Sequence, residues 1–220
     1  MRTIDDIPEE FRKGTTDGEN IARLASGVQA FLLEKHGAQS GAAGLRFVQA
    51  GLHFRNSEIG REMSRRSLSL EAALGDSAQL VEFAGGVLAA TSLAASIDLA
   101  AAGLYRLYFG QVEESDPGRE ADLHHFPRKA DLPGPAKTWL QETKAAQSWR
   151  VLKAVRDHFV HRCFPIHVTV HVGSSGPHTQ ELEIEGRRHR VGHLLEETRA
   201  FVIDRLVSIG EVMVAVVQPG

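Results

Sequence analysis

The 220-residue sequence has little cysteine, little net charge and no apolar run at its N-terminus, and each shortage narrows the choice of protein class. A single cysteine, Cys163, excludes an intramolecular disulfide and a cysteine-based zinc cluster. Lys and Arg number 25 against 28 Asp and Glu, for a formal net charge of −3, so any contact with nucleic acid must come from a local basic patch. The polar stretch 1–13 lacks the apolar run of a secretory signal, which predicts a cytoplasmic location.

The longest apolar run extends from Phe83 to Ile97 and is rich in alanine and glycine. Thr91, Ser92 and Ser96 interrupt it, which favours a tightly packed central helix over the alternative, a membrane span. We therefore expect no membrane partner. No cofactor is expected either.

Apolar residues recur at helical spacing along most of the chain. The pattern predicts one domain, 1–220, with helices at about 17–36, 42–66, 76–110, 135–163 and 193–217. In the second helix the predicted inward face is the set of Leu45, Val48, Leu52, Ile59 and Met63. Residues 1–14 are expected to form a loose arm and 113–134 a long loop.

After Pro165 the apolar period changes from 3.6 to two, which is typical of a strand. Residues 166–172 alternate, 173–177 form a turn, and Leu182 and Ile184 alternate with glutamates. The expected fold class is therefore mostly α: an up-and-down bundle of four to five long helices with a two-stranded β-hairpin, inserted at 166–191, before the last helix.

The stretch from Trp149 to Pro165 carries the strongest candidate site. Its apolar stripe places an arginine, Arg156, where the period calls for an apolar side chain. An unpaired guanidinium on an inward face is costly. Either Arg156 has a buried carboxylate partner, or this face opens into a cleft that holds an anion. Two residues of the same helix, His158 and His161, are of the side-chain type that can titrate near neutral pH.

Asp98 is the natural partner for Arg156, because it interrupts an otherwise apolar stretch of the predicted third helix. We expect the two side chains to pair, or at least to face the same polar pocket. A purely structural ion pair is the alternative.

Two further groups of polar residues are weaker candidates. Arg187, Arg188 and Arg190 form a compact basic cluster that suits an RNA backbone, or else ordinary surface charge. His167 and His171 share the polar face of the predicted hairpin, where cross-strand pairing with glutamates is simpler than a zinc site. No metal site is predicted.

The string from Arg156 to His161, R-D-H-F-V-H, resembles the signature of the HEPN superfamily. That signature is an arginine and a histidine four to six residues apart on a late helix of an all-α bundle, often with Asn, Asp or His after the arginine. Here the residue after the arginine is Asp157. The resemblance covers this motif and the helical layout, whereas the hairpin lies outside the family's core pattern.

The resemblance implies a homodimer that cuts RNA without a metal, by attack of the ribose 2′-OH on the adjacent phosphate. Arg156 would bind the phosphate, His161 would transfer the proton or position the 2′-OH, and Asp157 would orient His161. Asp98 and His158 would have supporting roles. Such a nuclease would act as a toxin or defence effector restrained by an antitoxin-like protein partner. The alternative is a non-catalytic HEPN-like dimer that binds RNA, a nucleotide or a protein.

Spacing alone raises a difficulty for this site. An ideal helix turns by about 100° per residue, so Arg156 and His161 lie roughly 140° apart around the axis. Helix distortion, a second element or a second copy of the chain must therefore complete the site.

Overall fold

In the computed structural model, the described residues are 1–7, 9, 16–69, 77–110, 123, 132, 134–161, 181–184 and 187–215. They form five α-helices, and the prediction of a mostly helical chain is confirmed. The helices are α1 (Asp17–Ser69), α2 (Ser77–Phe109), α3 (Gly134–Ala145), α4 (Gln147–His161) and α5 (Val191–Ala215).

Helix α1 is broken at Gly37, which adopts φ 76° and ψ −170°. The left-handed φ favours glycine, and the chain reverses there, as the sequence predicts. The two arms, 17–36 and 38–69, run antiparallel: a Cβ built on Gly44 would lie 2.7 Å from the Cα of Gln29. At the start of α1, the Thr16 hydroxyl accepts a hydrogen bond from the backbone N–H of Glu19 and so caps the helix.

Helix α2 lies at the centre and packs against α1, α4 and α5. Its contact with arm 38–69 is antiparallel and very close, because a Cβ on Gly60 would lie 2.6 Å from the backbone N of Ala89. Leu93, Ile97 and Leu104 on α2 are buried in the core, in keeping with the central helix that the apolar run predicts. The segment Leu80–Phe109 is long and apolar enough to cross a membrane, and 67% of its most apolar window is buried inside the protein.

The predicted inward face of arm 38–69 is wrong. Four of its members are exposed, with exposed fractions of 52% for Leu45, 47% for Leu52, 51% for Ile59 and 38% for Met63, while Val48 is half-buried. The buried face is instead the set of Ala43, Phe47, Ala50 and Phe54. Both faces of this arm are apolar, so the period cannot choose between them, and the face with small residues allows the closer packing.

The helix predicted over 135–163 is divided into α3 and α4, with Ala146 between them. The division is slight, because the N–H of Ala146 still donates to the carbonyl of Glu142, at 3.0 Å. In α5 the buried stripe includes Leu195, Val202, Leu206, Ile209 and Met213.

The N-terminal residues differ from the expected loose arm. Ile4–Asp6 form a short 3-10 turn, and Ile7 is 1% exposed in the core. Arg2 binds α5, with its Nη2 2.6 Å from Glu211 and its backbone N–H donating to Asp204. Burial of Ile7 and these polar contacts hold residues 1–7 against the bundle.

Two short strands, β1 (Glu181–Ile184) and β2 (Arg187–Arg190), pair antiparallel, with Glu181 opposite Arg190. The predicted strand 166–172 and turn 173–177 lie outside the described residues, so their pairing with 182–184 stays a prediction. Most of the predicted loop 113–134 also lies outside them.

Candidate site around Arg156 and Asp98

Arg156 lies at the edge of the buried face of α4. Trp149, Leu152 and Val155 on this helix are at most 6% exposed, and they pack into the core. The Arg156 side chain is 27% exposed, so it is neither immersed in the core nor extended into bulk water. The apolar face of α4 therefore ends beside a partly desolvated guanidinium.

The predicted pairing of Arg156 with Asp98 is confirmed. Nη1 of Arg156 donates to Oδ2 of Asp98 at 3.0 Å, and the Asp98 side chain is 19% exposed. Oδ1 of Asp98 accepts a second hydrogen bond, from the backbone N–H of Leu123 at 3.3 Å. Leu123 is itself fully buried, so Asp98 joins α2 both to α4 and to a segment of the following connection.

Asp157 also binds the guanidinium. Its Oδ1 accepts from Nε of Arg156 at 3.1 Å and from Nη2 at 2.9 Å. The sequence assigned this carboxylate to orienting His161, and in the structure its contact is with Arg156. The side chains of His158 and His161 lie outside the described part of the structure, so their predicted roles remain predictions.

The guanidinium has five N–H donors in a planar fork. Asp98 takes one of them and Asp157 takes two, which leaves one N–H on each terminal nitrogen of Arg156 without a partner among the described residues. Those two N–H groups are donors that an anion could accept from. One guanidinium and two carboxylates nevertheless give the cluster a formal charge of −1.

Arg156 and Asp98 line a pocket of about 380 Å³. One wall is a single face of α2, and α1 contributes one histidine, His53; the remaining lining residues are Thr91, Ala95, Leu99 and Ala102. A volume of this size lies within the range of small-molecule sites. The pocket thus combines an apolar wall with a small number of polar groups.

His53 is the pocket residue that the sequence analysis did not select. Its Nδ1 is buried and has no hydrogen-bond partner among the described residues. On sequence alone it belongs to the arginine-rich polar face of arm 38–69, which is typical of a solvated surface. The signal available was its position one residue from the exposed Leu52, at the border between the polar and apolar faces.

The remaining candidates are placed only in part. Arg187, Arg188 and Arg190 lie on β2, and their side chains are outside the described residues. His167 and His171 also lie outside them. Within the part of the chain that the structure describes, no group of three His, Cys, Asp or Glu side chains is positioned to hold a metal ion.

Comparisons with models of known protein families, with curated proteins and with solved structures found no match to this chain.

Proposed function

We propose that this chain is a metal-independent endoribonuclease of the HEPN type, with Arg156 and His161 as its central residues. The observation that carries the proposal is the state of Arg156: it is partly desolvated, bound by two carboxylates and part of a pocket lining, and two of its N–H groups have no partner among the described residues. A phosphodiester presents two oxygens that fit such a fork.

The proposed reaction needs no group beyond the RNA and the protein. The 2′-OH of the ribose attacks the adjacent phosphorus, and the bond from phosphorus to the 5′-oxygen of the next nucleotide breaks. The products are a 2′,3′-cyclic phosphate and a 5′-OH end. His161 takes the proton from the 2′-OH or returns one to the leaving oxygen. Arg156 stabilises the charge that develops on the phosphate oxygens.

A homodimer would bring a second motif to the same groove and so overcome the roughly 140° between Arg156 and His161 on one helix. Leu45, Leu52 and Ile59 support self-association, because they form an exposed apolar stripe at seven-residue spacing. A two-fold axis through Leu52 would set Leu45 of one copy against Ile59 of the other. Sedimentation of Leu52→Lys beside the unchanged chain tests this arrangement, and an unaltered dimer in the variant would exclude this stripe as the interface.

The direct test is cleavage of RNA by the purified full chain in the presence of a chelator. We expect products with 2′,3′-cyclic phosphate and 5′-OH ends, and loss of cleavage in His161→Ala. Arg156→Lys keeps the positive charge but cannot form the bidentate fork, so it should also lose most activity. His193→Ala, which removes an exposed histidine on α5, is the matched control and should cleave normally.

Two results would exclude the proposal. One is the absence of any cleavage by the unchanged chain; the other is cleavage that persists in both His161→Ala and Arg156→Lys, which would indicate a contaminant or another site. Thermal unfolding of each variant separates loss of chemistry from loss of fold. If the protein acts as a toxin, its expression should arrest growth, and both variants should relieve that arrest. An antitoxin-like protein should suppress the arrest in the cytoplasm.

The second candidate is a non-catalytic HEPN-like dimer that binds RNA, a nucleotide or a protein. The observation that favours it is the formal charge of −1 around Arg156, since a guanidinium already matched by two carboxylates attracts an anion less strongly. RNA that is bound but not cut, with binding weakened by Arg156→Lys, would favour this function over the nuclease.

A further inference from the structure

We infer that His53 is a ligand-contacting residue of the Arg156 pocket, and that the group it contacts is a ribose hydroxyl of a phosphorylated ribose. The choice of ribose phosphate rests on the proposed function. The involvement of His53 rests on the structure, because the sequence pattern assigns this histidine to a solvated face.

The first argument is the buried Nδ1 of His53, which has no hydrogen-bond partner among the described residues. A buried ring nitrogen that has lost water without gaining a partner destabilises the folded protein, so such an atom requires an explanation. His53 lines the pocket, and the χ2 torsion of histidine is soft, so the ring is free to adjust to a ligand there. A ligand hydroxyl both donates and accepts, so it satisfies either tautomer of a neutral imidazole.

The second argument is the arrangement of the pocket. Arg156 and His53 come from α4 and α1, and the face of α2 with Ala95, Leu99 and Ala102 lies in the same pocket. Anion binding by the two remaining N–H groups of Arg156 would place a phosphate at one side. The small apolar side chains of α2 suit the C–H surface of a sugar, and the pocket volume of about 380 Å³ suits one nucleotide unit.

The consequence for the site is that one chain supplies an imidazole to Arg156 from a second helix. The second copy of the chain is still needed to bring His161 to the site, and His53 adds a ligand-binding group beside Arg156 within one chain. It binds the ribose, and the proposal assigns it no covalent step.

The experiment measures binding of uridine 3′-monophosphate to the full chain by calorimetry, with uridine and inorganic phosphate as separate arms. We expect the nucleotide to bind more tightly than either uridine or inorganic phosphate. In His53→Gln the affinity for the nucleotide should fall about tenfold or more. Ala95→Leu fills the pocket without changing its charges and should also abolish binding. His36→Gln, which changes an exposed histidine of α1, is the matched control and should bind normally.

Nucleotide affinity unchanged in His53→Gln, or unchanged in Ala95→Leu, would overturn the inference, as would the absence of binding by the unchanged chain at about 1 mM nucleotide. A shift of the His53 ring signals in a ¹H–¹⁵N spectrum on nucleotide addition would support it. The two proposals fail separately. If nucleotide binding depends on His53 but the chain does not cleave RNA, the nuclease proposal is excluded and the ribose-binding role of His53 stands. If His53→Gln cleaves RNA with a normal KM, the ribose-binding role is excluded and the nuclease proposal stands.

Discussion

Nη1 of Arg156 on α4 lies 3.0 Å from Oδ2 of Asp98 on α2, so an ion pair joins two helices across 58 residues of sequence. Both side chains are partly desolvated, with 27% and 19% exposed. We expect Arg156→Ala and Asp98→Ala each to lower the free energy of unfolding by about 1–3 kcal/mol. The double variant should lose about 1 kcal/mol less than the sum of the two single losses, because the second removal no longer leaves an unpaired charge.

Urea unfolding of the two single variants and the double variant measures this coupling. Arg150→Ala is the control on the same helix: Arg150 is exposed, and its removal should change the free energy of unfolding by less than about 0.5 kcal/mol. Strictly additive losses would contradict the coupling. Asp98→Asn isolates the ion pair, since its amide oxygen still accepts from the N–H of Leu123.

A second partly desolvated arginine, Arg199 on α5, joins three segments of the bundle. Its Nε lies 2.7 Å from Oε1 of Glu58, its Nη2 also binds Asp17, and its guanidinium lies over the Phe54 ring at 5.9 Å. Burial acts to lower the pKa of Arg199, but the hydrogen bonds with Glu58 and Asp17 raise it above its usual value. The side chain, 15% exposed, therefore stays charged inside the fold.

Arg199→Ala should lower the free energy of unfolding by about 3 kcal/mol, because it removes the cation that Asp17 and Glu58 share and leaves Glu58 with the longer contact to Arg61. Arg199→Lys should recover only part of that loss, since an ammonium cannot form the bidentate contact with Glu58. Arg65, which is 70% exposed and pairs with Glu62 on its own helix, is the comparison; Arg65→Ala should cost less than about 0.5 kcal/mol. Equal losses in urea for Arg199→Ala and Arg65→Ala would contradict the assignment.

Tyr108 on α2 carries a hydroxyl that is buried without a partner among the described residues. Burial raises the pKa of Tyr108 from 10.0 to about 12. Because the pKa of Tyr108 is higher in the folded protein, the tyrosine of the unfolded chain ionises at a lower pH. Its ionisation therefore lowers the free energy of unfolding as pH rises from 10 through about 12. Below pH 10 it has no such effect. Tyr108→Phe removes the unsatisfied hydroxyl and should retain stability at pH 7 or raise it by up to about 1 kcal/mol.

An ultraviolet titration of phenolate formation, taken as the difference between the unchanged chain and Tyr108→Phe, measures that ionisation. A difference curve centred near pH 10 would show that the hydroxyl is solvated. Unfolding of both proteins at rising pH gives the second readout: the unchanged chain should lose stability relative to the variant only above pH 10.

The Asp98–Arg156 pair could be predicted from the sequence because each residue violates its local pattern. Asp98 interrupts a run of alanines and leucines, and Arg156 occupies a position where the helical period requires a hydrocarbon. Two such violations with opposite charges have few ways to be satisfied inside one domain. The pairing follows from the cost of an unmatched buried charge, and needs no knowledge of the topology.

The face of arm 38–69 and the position of His53 could not be predicted in the same way. Leucine and isoleucine on one side of the arm compete with alanine and phenylalanine on the other, and a period alone does not say which side meets a neighbour. The choice is made by the close approach of α2, which depends on glycines far apart in sequence. Once Phe47 and Phe54 turn inward, His53 comes to the border with α2, a position that the linear pattern does not contain.

The close contact of α1 with α2 gives the sharpest test of this packing. A Cβ on Gly60 would lie 2.6 Å from the backbone N of Ala89 and 2.7 Å from the backbone O of Gly85, and backbone atoms cannot move aside as a flexible side chain can. Gly192 is also helical, in α5, yet a Cβ there meets nothing within 4 Å. The same substitution is therefore expected to have opposite effects at the two positions.

Gly192→Ala should raise the free energy of unfolding by up to about 1 kcal/mol, because alanine restricts the unfolded chain and favours the helix. Gly60→Ala has the same intrinsic gain but forces the two helices apart, so it should lower the free energy of unfolding by about 2 kcal/mol or more. Urea unfolding of the two variants measures the difference, and the common intrinsic term cancels in the comparison. If Gly60→Ala were as stable as Gly192→Ala, the backbones of α1 and α2 would not be in contact at this crossing, and the inward turn of Phe47 and Phe54 would lose its physical cause.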